Sequence, residues 1–223
     1  MCGRFAFFSP EEAIAAAFGL DGLGELPPRF NIAPTQDVFT VRIKAGRMVA
    51  EQLRWGLVPF WAKDPAIGTK LINARAETLA EKPSFRQALR RRRCLIPASG
   101  FYEWVRQGSG KQPWFISPAD AEFICFAGLW EEWRDPDQQL LRTCTIVTTV
   151  ATPFMARLHQ RMPVILPPDA YGTWLNPEAP GDDTDRLLAA APPVDLQAWP
   201  VSRKVNSPMI QGEALIQPIE EVG

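Results

Sequence analysis

The sequence predicts an α+β domain, rich in β-strand and barrel-like, with short helices at its periphery. Three observations lead there. Strand candidates come as an early hairpin and then as a succession of four, and the helical patterns are brief and punctuated by proline. The 223-residue chain is 46% hydrophobic and 22% charged, enough apolar side chain for a sizeable core. The 22 prolines are scattered and no segment repeats, so a single domain over 1–223 is expected.

Ser9-Pro10-Glu11-Glu12 has the chemistry of a helix start. Ser9 is the expected N-cap, Pro10 takes the first helical position, and Glu12 closes a capping box before Ala13 to Phe18. Val38 to Lys44 and Val49 to Val58 are β-branched and apolar around Ala45-Gly46 and read as a hairpin. Glu77 to Arg93 carries a helical pattern that Pro83 splits, with Ser84 as cap of the second piece. The four strand candidates follow: Cys94 to Arg106, Gln112 to Ser117, Glu122 to Trp133 and Leu140 to Val150. Gly108-Ser109-Gly110 and Asp135-Pro136-Asp137 supply turns between them. A meander or barrel buries such a series economically. Asp169 to Leu175 and Asp182 to Ala191 are short helical stretches among proline-rich linkers such as Pro192-Pro193. Trp104, Trp114 and Trp130 fall in strand patterns and are expected in the core.

The formal net charge of -1 announces no nucleic-acid partner globally, so any anion-binding surface must come from local clustering of arginine and lysine. Met1 to Phe8 has neither a basic leader nor a sustained apolar stretch, and no apolar run is long enough to span a bilayer. A cytoplasmic protein without a membrane partner is expected, and a monomer, since no coiled coil is evident. Cys2, Cys94, Cys125 and Cys144 are dispersed and form no C-x-x-C pair, which argues against a zinc ribbon and a disulfide framework. The last three lie in apolar runs and read as core thiols. His159 is the sole histidine, so no multi-histidine metal site can form, and no metal or cofactor is expected.

Cys2 carries the most chemistry. Removal of Met1 leaves a cysteine whose α-amine and thiol sit on adjacent carbons. An α-amine titrates near pKa ~8, so roughly a tenth of it is unprotonated at neutral pH and can attack an aldehyde. The thiol, with an ordinary pKa of about 8.5, then adds to the imine carbon and closes a five-membered thiazolidine.

Polar residues inside apolar strands mark the rest of the site. In Leu71-Ile72-Asn73-Ala74-Arg75-Ala76-Glu77, alternation puts Asn73, Arg75 and Glu77 on one face. Glu103, among Phe101, Tyr102 and Trp104, is either a proton donor and acceptor whose pKa burial raises, or half of a structural ion pair with an arginine. His159 stands between Arg157 and Arg161, which would disfavour its charged form and attract an anion such as phosphate.

The chain resembles the SOS-response-associated peptidase (SRAP) family along nearly its whole length. The resemblance rests on ordered blocks. Met1-Cys2-Gly3-Arg4-Phe5, Arg29-Phe30-Asn31-Ile32-Ala33-Pro34 and Trp55-Gly56-Leu57-Val58-Pro59 come first. Leu71-Ile72-Asn73-Ala74-Arg75-Ala76-Glu77-Thr78, Arg93-Cys94-Leu95-Ile96-Pro97-Ala98 and Gly100-Phe101-Tyr102-Glu103-Trp104 follow. Ala127-Gly128-Leu129-Trp130 and His159-Gln160-Arg161-Met162-Pro163 complete the set.

That resemblance implies a barrel-like fold and a protein that shields abasic sites in single-stranded DNA by crosslinking to them, in the DNA damage response. It implies that Cys2 is the nucleophile, that Asn73 orients the opened sugar, that Glu103 is the general acid and base, and that His159 contacts the sugar or phosphate and assists proton transfer. It implies that Arg4, Asn31, Pro34, Phe60, Trp61, Arg75, Thr148 and Arg161 bind DNA. Family members can present two adjacent tryptophans as a wedge against stacked bases; here Phe60-Trp61 departs from that pair. Two alternatives stand beside the crosslinking function: a thiol autopeptidase that removes the residue before Cys2, as the family name suggests, and a non-covalent single-strand binder. Arg90-Arg91-Arg92-Arg93 is the densest basic run and reads as a solvated helix end.

Overall fold

A computed structural model describes residues 2–189 and 194–219. The Pro192-Pro193 linker and the end of the helical stretch expected to reach Ala191 lie outside the described residues. Strand β1 (Phe5–Phe7) leads into helix α1 (Glu11–Phe18), edge strand β2 (Arg29–Ile32), and the hairpin of β3 (Asp37–Lys44) and β4 (Arg47–Trp55). Then come β5 (Asn73–Arg75), α2 (Arg86–Arg91), β6 (Arg93–Ala98), β7 (Gly100–Gln107), β8 (Gly110–Pro118), β9 (Ile124–Arg134) and β10 (Leu140–Val150). The chain continues through α3 (Pro153–Ala156), β11 (Arg161–Pro163), β12 (Ile165–Leu166), α4 (Tyr171–Leu175), α5 (Gly181–Ala189) and β13 (Leu196–Pro200).

The expected barrel is present. Strand β10 pairs with β4 on one side and β9 on the other, so the path β4, β3, β6, β9, β10 closes on itself. Closure removes the free edges that an open sheet of this kind would expose. A second sheet, β13-β8-β7-β1-β2, packs beside it. The hairpin forms because Ala45 and Gly46 both take positive φ, 50° and 78°, the geometry whose twist matches that of its strands.

Several local expectations give way to long-range contacts. The run Cys94 to Arg106 is not one strand: it breaks at Ser99, β6 entering the barrel and β7 the other sheet. Ser99 anchors the corner, its amide donating to Ala6 O at 2.8 Å and its hydroxyl accepting from Phe8 N at 2.9 Å. That corner also takes Ser9 away from α1. The Ser9 hydroxyl lies 2.8 Å from Ser99 Oγ and donates to Glu122 O, and α1 starts at Glu11 with Pro10 in the cap position and no side-chain cap. A buried hydroxyl needs a partner more than an exposed helix end needs a cap.

Of Glu77 to Arg93 only Arg86–Arg91 is α-helix; Ala76–Thr78 is a 3-10 turn, and Phe85 precedes the helix with no side-chain cap, so Ser84 does not fill that role. The basic run is not uniformly solvated. Arg92 pairs with buried Glu131 at 2.8 Å. Arg93 starts β6 with its buried guanidinium donating to the carbonyls of Leu89, Arg90, Trp174 and Asn176. Only Arg90 and Arg91 are exposed.

Trp55 and Trp174 lie in the core with no exposed surface, and Trp133 is also buried. Trp104, Trp114 and Trp130 are instead half-buried at its margin. Polar partners hold two of them there: Trp104 donates to Asn206 Oδ1 at 2.7 Å, and the Arg42 guanidinium lies 4.4 Å from the Trp130 ring. Cys94, Cys125 and Cys144 are buried core thiols, and burial pushes the Cys125 thiol up to about 12.

Gly100 permits the corner. A Cβ there would lie 2.3 Å from the Phe115 ring and 2.6 Å from Ile116 O. Gly100→Ala should therefore destabilise the protein by about 3 kcal/mol. Urea unfolding checks this as a lower midpoint at unchanged slope.

Candidate active site

The site forms where the second sheet meets the barrel. Strand β1 runs antiparallel to β7, with Phe5 opposite Phe101 and Ala6 opposite Gly100. Tyr102 N donates to Arg4 O at 3.0 Å, and the same register carried back sets Gly3 across from Glu103. Cys2 is thereby delivered beside Glu103. From the barrel, β5 runs parallel to β10 with Asn73 opposite Ile146 and Arg75 opposite Thr148. Asn73 Nδ2 donates to Cys2 O at 2.8 Å, a bond across 71 residues of sequence that ties the N-terminal segment to the barrel. Asn73 Oδ1 is buried without a hydrogen-bond partner among the described residues, so it can accept from a ligand hydroxyl or amine.

Glu103 is 3% exposed, and burial raises its pKa above the ordinary carboxyl range, while the nearby His159 acts in the opposite direction. Burial also raises the Cys2 thiol, and the charge of Glu103 adds to that shift. Cys2 and His159 are therefore each within electrostatic reach of Glu103, and Asn73 holds Cys2 directly. The ring of His159 is gripped at its Nδ1 edge, 3.0 Å from Arg161 N and 3.1 Å from Arg161 O.

The residues expected to meet DNA divide by position. Arg4 is half-buried and donates through one nitrogen to Asn31 Oδ1 and Val205 O, both at 2.7 Å, with its guanidinium 5.9 Å from the Trp104 ring. Arg75 is exposed. Arg161 makes a two-pronged ion pair with Glu77, at 2.7 and 3.0 Å, and donates to Thr148 O at 2.6 Å. Its hydrogen bonds, with burial opposing and the charge of Arg75 assisting, hold the Glu77 carboxyl below its ordinary value. The charge of Arg161 is thus compensated, and Arg157 lies over Phe154 at 4.8 Å. Of the two arginines flanking His159, Arg161 is thus taken up by Glu77, while Arg157 stays exposed.

Asn31 and Thr148 have no exposed surface. The amide of Asn31 is occupied by Arg4 and by the carbonyls of Val205, Ser207 and Ile210. Thr148 Oγ1 bonds to Ala74 O and Arg161. Both support the arginines and offer no open surface to a strand. Pro34 is half-buried in the turn where Thr35 takes φ 73°. Phe60 and Trp61, 53% and 48% exposed, stand on the loop after β4. That loop is tethered by Trp133, which donates to Ala62 O at 2.7 Å, and by the approach of Gly56 to Gly68, where a Cβ on Gly56 would lie 2.7 Å from Gly68 O.

Sequence reasoning missed the segment after β13. Val205 and Gln211 carry no titratable group and no local pattern, yet both bear on Arg4, directly or through Asn31. Among the described residues, no group of three or more His, Cys, Asp or Glu is placed to hold a metal ion, and no helix is long and apolar enough to cross a membrane.

Residues 1–208 match the sequence model described as SOS response associated peptidase (SRAP). The chain is 44% identical over 224 residues to the abasic site processing protein YoqW of Bacillus subtilis, covering 97% of this chain and 99% of that one. It is 32% identical over 230 residues to the abasic site processing protein YedK of Escherichia coli, covering 98% and 100%. A solved structure of a Bordetella bronchiseptica protein superposes with a TM-score of 0.77 at 29% identity, covering 90% of this chain and 100% of the other. A Bacteroides thetaiotaomicron structure, 24% identical over 98% and 100% of the two chains, shares the fold at a TM-score of 0.87. With the profile spanning nearly all of the chain and relatives aligned end to end, the chain belongs to the SRAP family.

Proposed function

We propose that this protein processes abasic sites in single-stranded DNA by forming a thiazolidine crosslink through Cys2 after loss of Met1. One observation carries the reading: Asn73 fixes Cys2 beside a buried carboxyl, Glu103, that in turn senses His159. The names of the relatives, abasic site processing proteins, point to the same substrate.

The closed deoxyribose must first open. Glu103, its pKa raised by burial, gives a proton to the ring oxygen while His159 takes one from the C1′ hydroxyl, leaving an aldehyde. The Cys2 amine lone pair adds to C1′, and the carbonyl oxygen gains a proton and departs as water, giving an imine. The thiol adds across C=N, sulfur to carbon and proton to nitrogen. One water is released overall and nothing is oxidised. The raised thiol pKa suits this order, since the amine is the first nucleophile and the thiol brings its own proton to the second step.

Intact-mass measurement after incubation with abasic single-stranded DNA tests the reading. The expected species is the chain lacking Met1 plus the oligonucleotide, less one water. Loss of Met1 without an adduct, in a manner that depends on Cys2, favours the autopeptidase. DNA retained only under native conditions favours the non-covalent binder.

The phosphates need cations that are not already neutralised. Arg75 meets that need, whereas Arg90 and Arg91 lie at the exposed end of α2. Arg75→Ala should weaken binding and flatten the dependence of log Kd on log salt by about 0.7, one single-strand phosphate contact. Arg91→Ala should leave the slope unchanged. Titrations across a salt series check both, and the opposite ranking would move the DNA path onto α2. Phe60 and Trp61 are the exposed aromatics available to stack on unpaired bases.

A further inference from the structure

The segment that follows β13 crosses the free edge of the second sheet as a strap. Its 3-10 turn Arg203–Asn206 puts Val205 O on Arg4, and its next residues are gathered onto β2 by two side-chain amides. Asn31 Nδ2 faces the carbonyls of Val205, Ser207 and Ile210 at 3.3, 2.9 and 2.8 Å. Gln211 answers from the strap: its Oε1 accepts from Asn31 N at 3.1 Å and Phe30 N at 3.2 Å, and its Nε2 donates to Asn31 O at 3.0 Å. Accepting from and donating to the same residue reproduces the bond pair that a neighbouring antiparallel strand would make. One side chain thus caps an edge strand and locks the strap. Gln211 is exposed and lies beyond the residues that match the family model.

The consequence falls on Arg4. Its acceptors, Asn31 Oδ1 and Val205 O, are neutral, and among the described residues no salt bridge compensates it. The guanidinium is held in one orientation with its positive charge intact, two residues from Cys2. Holding a flexible arginine in advance removes an ordering cost that binding would otherwise bear.

We propose that Gln211 and Asn31 are positioning residues, whose mutual amide clasp locks the strap so that Arg4 is presented, uncompensated, to a DNA phosphate at the Cys2 site. This rests on the reading of the site as one for single-stranded DNA. Asn31 acts through Arg4 in this arrangement and does not itself touch the strand.

The test uses a single-stranded oligonucleotide carrying a tetrahydrofuran abasic analogue, which has no aldehyde and so reports binding without chemistry. Gln211→Ala should raise Kd about tenfold, the size of one charge-assisted hydrogen bond, and flatten the salt slope by about 0.7. Melting temperature and the crosslinking rate at saturating abasic DNA should stay at wild-type levels. Because Gln211 acts through Arg4, the double variant Arg4→Ala/Gln211→Ala should bind no more weakly than Arg4→Ala alone. An unchanged slope, losses that add in the double variant, or a fall in melting temperature matched by a slower saturated rate would each overturn the proposal. A wild-type protein that binds the analogue yet forms no adduct with abasic DNA would sink the crosslink reading and leave this one standing.

Discussion

Cys2→Ala is expected to eliminate the heat-stable adduct with abasic single-stranded DNA entirely while leaving binding of the unreactive analogue intact. The thiol is the group that converts a reversible imine into a ring, so its removal should leave only a labile Schiff base from the α-amine of the new residue 2. Borohydride should trap that species in the variant, and acetylation of the α-amine should abolish both products in the wild type. The fold should tolerate the change moderately well, because the bond from Asn73 is accepted by the Cys2 backbone carbonyl and the thiol's own bond, to Arg4 O, is long at 3.8 Å. Denaturing gels with and without borohydride read all of this. A heat-stable adduct from Cys2→Ala at wild-type yield would place the chemistry on another residue.

Glu103→Gln should slow crosslinking by roughly 10²-fold with little change in affinity for the analogue, since the amide keeps the shape and loses the proton. The pH profile sharpens the expectation. The wild-type rate should carry a descending limb as pH rises through the raised pKa of Glu103. The variant should lose the descending limb. Stability follows the same group. A carboxyl whose folded pKa lies above its unfolded value contributes stability fully below the unfolded pKa and loses it as pH rises through the folded pKa. Glu103→Gln should therefore flatten the decline in stability on the alkaline side of the ordinary carboxyl range, measured by urea melts across pH. A variant that keeps the full rate and the descending limb would reduce Glu103 to a packing residue.

What the sequence by itself determined were features made within a few residues of chain. The hairpin around Ala45-Gly46 was legible because its two positive-φ positions and its alternating strands are local, and the bounds of β10 match the expected strand from Leu140 to Val150. The barrel-like class was legible because successive apolar strands have few other ways to bury both faces. The residues brought to one place, Cys2, Asn73, Glu103 and His159, stood out as polar groups in apolar surroundings or as a reactive terminus.

Only the tertiary structure decided what depends on partners far along the chain. Ser9 has the chemistry of a cap, but Ser99 and Glu122 claim its hydroxyl. The stretch from Cys94 to Arg106 reads as one strand candidate, yet Ser99 and Gly100 turn it from one sheet into another because Ala6 waits across the corner. Arg93 looked like one more solvated charge and is instead a buried donor to four carbonyls. Arg161 looked like a free cation until Glu77 closed on it. Hydrogen bonds and ion pairs are short-ranged in space and indifferent to separation in sequence, so propensity can propose a donor but only the folded chain assigns its acceptor.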